Sequence, residues 1–146
     1  MKKLIIACTM LFFGSSALAQ AWNGKGDQKI QIGLNGYGYG TGITGTYDYG
    51  LSKLVSVGAG ANIYFSDYKD NDDKNNVFIF GRLNVHLQEP LGMPEKWDIY
   101  PGVDLGVLGS GFGIGAHIGV RYYFTPKVGI YLEAGNNGSI GVSLNL

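Results

Sequence analysis

The sequence has little cysteine, histidine and charge, and each shortage excludes a class of function. Cys8 is the only cysteine among 146 residues, and there are two histidines. Neither a disulfide framework nor a transition-metal site is therefore expected. Charged residues make up 15% of the chain, whereas an ordinary soluble domain has ~25%. Basic and acidic groups balance to a net charge of zero, which gives no electrostatic case for binding nucleic acid.

The chain also lacks an apolar run long enough for a membrane helix. Its longest run, residues 4–14, is shorter than the ~20 residues that such a helix needs. Two lysines precede this run, and an Ala-Leu-Ala site at residues 17–19 follows it. This order is typical of a secretory signal peptide. We expect cleavage after Ala19, which separates a signal peptide (1–19) from one domain (20–146).

Glycine and aromatic residues are abundant instead, with 25 glycines and 13% Phe, Tyr and Trp. From Gln28 onward, apolar and small or polar residues alternate in segments separated by turn residues, which is the pattern of β-strands. No segment has helical periodicity. We predict eight strands, at residues 28–38, 40–50, 54–65, 76–87, 97–107, 111–124, 127–135 and 138–146.

The two faces of these strands differ in a way that predicts which one points outward. In the last strand, one face carries Ile140, Val142 and Leu144, and the other carries Ser139, Gly141 and Ser143. A soluble sandwich or lipocalin-like barrel would bury the aliphatic face and expose glycine, with few solvating side chains. A membrane barrel reverses the faces, and its narrow lumen accommodates small residues. We therefore predict an all-β fold, a closed antiparallel eight-stranded transmembrane β-barrel preceded by a signal peptide.

Aromatic residues on the predicted outer face cluster near the strand ends, as in the girdles of membrane barrels. If the first strand runs upward, five of them lie near the periplasmic end and two near the outer end. The first group is Tyr47, Tyr49, Trp97, Tyr122 and Phe124, and the second is Phe65 and Phe112.

Charged residues on the opposite face predict polar networks inside the lumen. Because charges within a low-dielectric wall must be paired, we expect two plugging networks of ions and hydrogen bonds. Their members are Asp48, Arg82, Asp98, Asp104, His117, Arg121 and Glu133. A second interpretation is a gate in which Arg82 changes partners to open a narrow path. No enzyme and no cofactor are expected, because neither His86 nor His117 has an obvious serine partner at the outer rim.

One outer loop, residues 66–75, is long and strongly charged. Its aspartates lack the glycine and distal glutamate of an EF-hand loop, so no metal site is expected. Lys69 and Lys74 could contact the phosphates of lipopolysaccharide. We interpret the loop as a solvated hairpin tip and as the surface best placed for contacts.

The signal peptide, the eight amphipathic strands and two motifs together resemble the small outer-membrane β-barrel superfamily, which includes outer membrane proteins A and X. The motifs are Arg-Tyr-Tyr-Phe-Thr-Pro-Lys at residues 121–127 and Tyr-Leu-Glu-Ala-Gly at residues 131–135. The resemblance implies the outer membrane of a two-membrane bacterium, contact with its lipid and lipopolysaccharide, and insertion by the outer-membrane assembly machinery. We also expect a monomer.

The expected function is structural or concerns surface interaction, with a plugged lumen and no catalysis. Two alternatives remain open. A gated narrow channel for small solutes or ions would conduct in planar bilayers. A soluble periplasmic β-barrel binding an apolar ligand would be released without detergent.

Overall fold

The computed structural model describes residues 20–37, 41–65, 77–108 and 111–146. The predicted signal peptide and the 66–75 loop lie outside the described residues. Within them the chain forms eight strands, and no helix is long and apolar enough to cross a membrane. The strands are β1 (Gln28–Tyr37), β2 (Gly42–Gly50), β3 (Val55–Tyr64), β4 (Val77–Val85), β5 (Trp97–Leu108), β6 (Gly111–Tyr123), β7 (Val128–Gly135) and β8 (Gly138–Asn145).

Each strand pairs antiparallel with the next, and β1 pairs with β8 to close the barrel. Ile32, for example, lies opposite Gly45 of β2 and Val142 of β8. The predicted all-β fold of eight antiparallel strands in a closed barrel is confirmed. We call the end at Gln28 and Asn145 the lower rim and the end at Tyr37 and Gly138 the upper rim.

The predicted strand bounds agree with the structure to within one or two residues. The fourth strand, for example, ends at Val85, two residues before its predicted end. There the backbone N–H of His86 donates to Leu54 O at 2.7 Å, and that of Leu87 donates to Ile99 O at 2.9 Å. The chain then turns away through residues 88–92.

Exposure alternates along the strands, and the exposed face is aliphatic. Outward side chains include Ile32, Leu34, Ile43, Ile63, Ile79, Leu105, Ile114, Leu132 and Ile140, each at least 45% exposed. Inward side chains are polar, charged or aromatic, and include the fully buried Gln31, Ser56, Asn84, Tyr100 and Ser143. The barrel therefore has the orientation of faces predicted from the sequence.

Glycines on the inner face make room for large rings on neighbouring strands. Gly119 of β6 lies opposite Tyr100 of β5, and a Cβ atom on this glycine would collide with the Tyr100 ring. Gly60 of β3 lies opposite Phe80 of β4 in the same way. At these two positions a tyrosine or phenylalanine ring packs directly on the glycine backbone of the opposite strand.

Candidate functional site

All seven residues predicted to line the lumen are placed there. They come from five different strands, with Asp48 on β2, Arg82 on β4, Asp98 and Asp104 on β5, His117 and Arg121 on β6, and Glu133 on β7. Five of them are at least 91% buried, and Asp104 and Glu133 are partly accessible. Successive side chains of a strand point to opposite faces, so residues at every second position point into the lumen together.

Arg82 joins what the sequence predicted as two networks. Its Nη2 atom lies 2.6 Å from Glu133 Oε1, and its Nε atom lies 3.1 Å from Asp48 Oδ1. Asp48 Oδ2 also accepts a hydrogen bond from Arg121 Nη2 at 2.9 Å. The prediction of two separate networks is therefore wrong, because the long arginine side chain reaches from β4 to both β2 and β7.

Tyr100 occupies the centre of this network. The guanidinium carbon of Arg121 lies 3.9 Å from the centre of the Tyr100 ring, within the range of a cation–π contact. The Tyr100 hydroxyl donates to Glu133 Oε1 at 2.9 Å. Each of the two arginines is thus paired with carboxylates and lies near an aromatic face. These contacts compensate the free-energy cost of removing the guanidinium charge from water.

His117 extends the network toward the upper rim. Its Nδ1 atom lies 2.8 Å from Asp104 Oδ2, and its Nε2 atom lies 2.7 Å from Asn84 Oδ1. The Asn84 amide in turn donates to Asp48 Oδ1 and Ser56 Oγ. Asp104 is therefore connected to the central arginines through a histidine and an asparagine.

His86 has partners that the sequence did not reveal. Its Nε2 atom lies 2.7 Å from Ser56 Oγ, and its Nδ1 atom lies 2.6 Å from Asp98 Oδ2. This order of serine, histidine and aspartate is also that of a hydrolase triad. All three residues are fully buried, so no substrate reaches Ser56 Oγ in this structure. The three side chains form a hydrogen-bonded cluster inside the barrel.

Burial also affects the charge of His86, which directly follows β4. Removal from solvent lowers the pKa of its imidazole below the usual value of 6.5, although the hydrogen bond to Asp98 raises it and nearby Arg121 lowers it further. A neutral His86 accepts a hydrogen bond from the Ser56 hydroxyl at Nε2 and donates one from Nδ1 to Asp98. The lowered pKa and the two hydrogen bonds are thus consistent with one another.

Residues 20–27 close the lower end of the lumen, and we call them the plug. Trp22 stacks on the His86 ring, with centroids 3.5 Å apart and planes 5° apart. The Trp22 indole donates to Lys53 O at 2.6 Å, and the backbone N–H of Ala21 donates to Glu95 O at 2.7 Å. Gly24 and Gly26 have φ angles of 83° and 85°, which glycine adopts without strain.

The upper end of the lumen contains a small polar cavity of about 40 Å³, which is room for a few water molecules. Its walls include the polar side chains of Asp104, His117 and Glu133 and the rings of Phe78 and Phe80. The network around Tyr100 lies below this cavity, and the plug lies at the lower end of the barrel. A cavity of this volume holds water or an ion and is too small for a larger solute.

The seven predicted girdle residues lie on the outer face, near the two rims. At the lower rim, the Trp97 and Tyr122 rings lie 4.7 Å apart and those of Tyr122 and Phe124 lie 5.1 Å apart. Tyr47 and Tyr49 are half-exposed on β2 at the same rim. At the upper rim, Phe65 and Phe112 are the exposed aromatics that the sequence predicted.

Within the described ranges, no group of three or more His, Cys, Asp or Glu side chains could hold a metal ion. The acidic 66–75 loop lies outside these ranges. The candidate site is therefore the network of lumen residues together with the small cavity beside it.

Comparison with protein families gives a match over residues 11–140, to a family described as a family of unknown function (DUF6646). No curated protein matches the chain.

Proposed function

The chain belongs to DUF6646, a family of unknown function, and we propose that it is a small barrel of a bacterial outer membrane. In this proposal a cleaved signal peptide directs its export from the cytoplasm of a two-membrane bacterium. Its role is structural or concerns contacts at the membrane surface, and it carries out no catalysis.

The exposed aliphatic face is the observation that carries the proposal. Ile32, Leu34, Ile114 and Ile140 are each more than half exposed, while arginines and aspartates fill the interior. In water such a surface would be a large contiguous apolar patch, which monomeric soluble proteins rarely expose. In lipid the same surface is solvated, and the closed barrel leaves no unpaired backbone edge.

The exposed aromatic residues at both rims support the same environment. Tyrosine and tryptophan prefer the boundary between lipid and water, where one part of the ring is apolar and the other wet. Trp97 and Tyr122 pack together at the lower rim, while the middle of each wall is aliphatic. In a soluble barrel the surroundings are the same along the whole strand, so aromatic side chains would not be separated from aliphatic ones along the barrel axis.

The filled lumen supports a structural role in preference to transport. The Arg82 side chain crosses the lumen between Asp48 and Glu133, and Trp22 covers the lower end. An eight-stranded barrel normally fills its interior with side chains. This arrangement stabilises the barrel and leaves no wide path through the part of the lumen that the structure describes.

The proposed partners follow from the location. They are outer-membrane lipid, lipopolysaccharide at the upper rim, and the outer-membrane assembly machinery during biogenesis. The protein acts as a monomer, because its apolar face is covered by lipid and not by a second subunit. It binds no nucleic acid.

Fractionation combined with heat-dependent gel mobility tests the proposal. The full chain is expressed in a two-membrane bacterium, the fractions are separated, and samples in SDS are run boiled and unboiled. We expect the protein in the outer-membrane fraction and a change in mobility on boiling, because a closed barrel resists unheated SDS.

Recovery from the periplasm without detergent would contradict the proposal and favour the soluble ligand-binding alternative. A matched variant pair sharpens the result. Arg82→Met removes the side chain that crosses the lumen, so the gel band of the folded barrel should be lost at a lower temperature than in the wild type. Lys53→Met, on the exposed turn after β2, should lose that band at the wild-type temperature.

A further inference from the structure

We propose that Gln20 becomes the N-terminal residue of the exported protein and is converted to pyroglutamate. This inference rests on the proposed function, because only an exported chain loses residues 1–19. The Ala-Leu-Ala site at residues 17–19 places the cut directly before Gln20. The new N-terminus then carries a free α-amine next to its own side-chain amide.

The reaction is an intramolecular cyclisation. The α-amino nitrogen of Gln20 attacks its own Cδ atom and forms a five-membered lactam. The bond between Cδ and the side-chain nitrogen breaks, and that nitrogen leaves as ammonia with a proton taken from the α-amine. No oxidant, reductant or second substrate is consumed. The product has no N-terminal positive charge.

Hydrogen bonds fix the backbone of Gln20 and Ala21 in place at the lower rim. Gln20 O accepts a hydrogen bond from Asn145 Nδ2 at 3.2 Å, and the Ala21 N–H donates to Glu95 O. Ala21 is fully buried and packs against Tyr123. Among the described residues none hydrogen-bonds the Gln20 amide, which borders an open hollow of about 430 Å³ at the lower rim.

The plug gives this modification a role. Trp22 is only the third residue of the processed chain, and its ring covers His86. An aminopeptidase that removed three residues would take away the tryptophan and uncover the polar core. A lactam offers no free amine for such an enzyme to bind. Cyclisation of Gln20 therefore protects the seal at the lower end of the lumen.

Intact-mass analysis of the purified protein tests the inference. The full chain is expressed with its own first 19 residues in a two-membrane bacterium, and its N-terminal peptide is sequenced by mass spectrometry. We expect a chain that begins at residue 20 and is lighter by one ammonia. A chain that begins there with intact glutamine would overturn the cyclisation and leave export standing. A chain that still begins at Met1 would overturn both.

Gln20→Asn is the matched control, because asparagine lacks the methylene needed to close a five-membered lactam on the α-amine. The variant should begin at residue 20 without losing ammonia there. Wild type and variant are then incubated, folded, with a broad-specificity aminopeptidase. We expect trimming of the variant past Trp22 and an unchanged wild-type mass. Equal trimming of both, or equal resistance, would refute the protective role.

Discussion

The carboxylate of Glu133 accepts two hydrogen bonds from the guanidinium of Arg82, at 2.6 and 3.4 Å, across the lumen from β7 to β4. The Arg82 side chain is almost completely removed from solvent, and that of Glu133 is 11% exposed. Removing one member of such a pair leaves the other charge buried and uncompensated, and this destabilises a protein far more than replacing both. The pair therefore holds opposite walls of the barrel together.

Arg82→Met should lower the free energy of unfolding by about 3–5 kcal/mol. Glu133→Gln should lower it less, because an amide oxygen still accepts one bond, and the double variant should recover part of the loss. Denaturant unfolding of the protein in lipid vesicles, followed by tryptophan fluorescence, measures these changes. Lys53→Met is the control, since its 3.9 Å contact with Glu89 is exposed. An Arg82→Met barrel as stable as this control would show that the crossing has no structural role.

Gly119→Ala should destabilise the barrel by about 1–3 kcal/mol, the usual effect of overpacking. Its new Cβ atom would collide with the buried Tyr100 ring, which also contacts Arg121 and Glu133. Gly81→Ala is the matched control, because a Cβ atom there meets nothing closer than 3.8 Å. Equal stability of the two variants in the same unfolding assay would contradict this view of the inner glycines.

The positions of the strands and the direction of their faces could be predicted from the sequence. The signal is local, because the alternation in Ile140, Val142 and Leu144 against Ser139 and Ser143 depends only on the two-residue period of a strand. Eight such segments with turns between them also imply antiparallel neighbours. The same period placed the charged residues together in the lumen.

The partners within the lumen could not be predicted in the same way. Arg82 reaches Asp48 and Glu133 on strands that are not its neighbours in the barrel. Such contacts depend on the stagger between strands and on the length of each side chain, which the two-residue period does not contain. The expectation of two separate networks failed for this reason.

The plug was missed because residues 20–27 have no periodic pattern. The signal that could have found it is Trp22, a large aromatic residue placed outside every predicted strand, between the signal peptide and β1. Ser56 and His86 were missed as a pair because they are 30 positions apart. Ser56 lies opposite Asn84, so the correct register of β3 and β4 brings the two close.

Ile32→Lys should destabilise the protein in lipid by about 2–4 kcal/mol, since a charge at the bilayer midplane faces hydrocarbon. Ile32 lies in the middle of β1 and is 56% exposed. Tyr49→Lys at the lower rim should change stability by about 0–1 kcal/mol. Unfolding in vesicles of uniform composition measures both. If Ile32→Lys is as stable as Tyr49→Lys, the outer wall does not face lipid.

Acid should destabilise the barrel through His86. Because its pKa is lowered in the folded state, the folded protein binds fewer protons than the unfolded chain below about pH 6.5. The free energy of unfolding therefore decreases as the pH is lowered through this range. Above that value His86 is neutral in both states and contributes no slope. His86→Gln should lose less stability between pH 8 and pH 5 than the wild type. An identical loss would show that His86 does not resist protonation.

Trp22→Ala should uncover His86 without unfolding the barrel. In the wild type the indole covers the imidazole at 3.5 Å and His86 is fully buried, so diethyl pyrocarbonate should modify it slowly. Loss of the indole should increase the rate of modification at His86 by at least about tenfold, because the polar core then opens toward the lower rim.

The modified residue is identified by peptide mass spectrometry, and retention of the unboiled gel form shows that the barrel is intact. Trp97→Ala, on the outer face at the same rim, serves as control and should leave the rate unchanged. Equal rates in the wild type and in Trp22→Ala would mean that the plug does not seal the lumen.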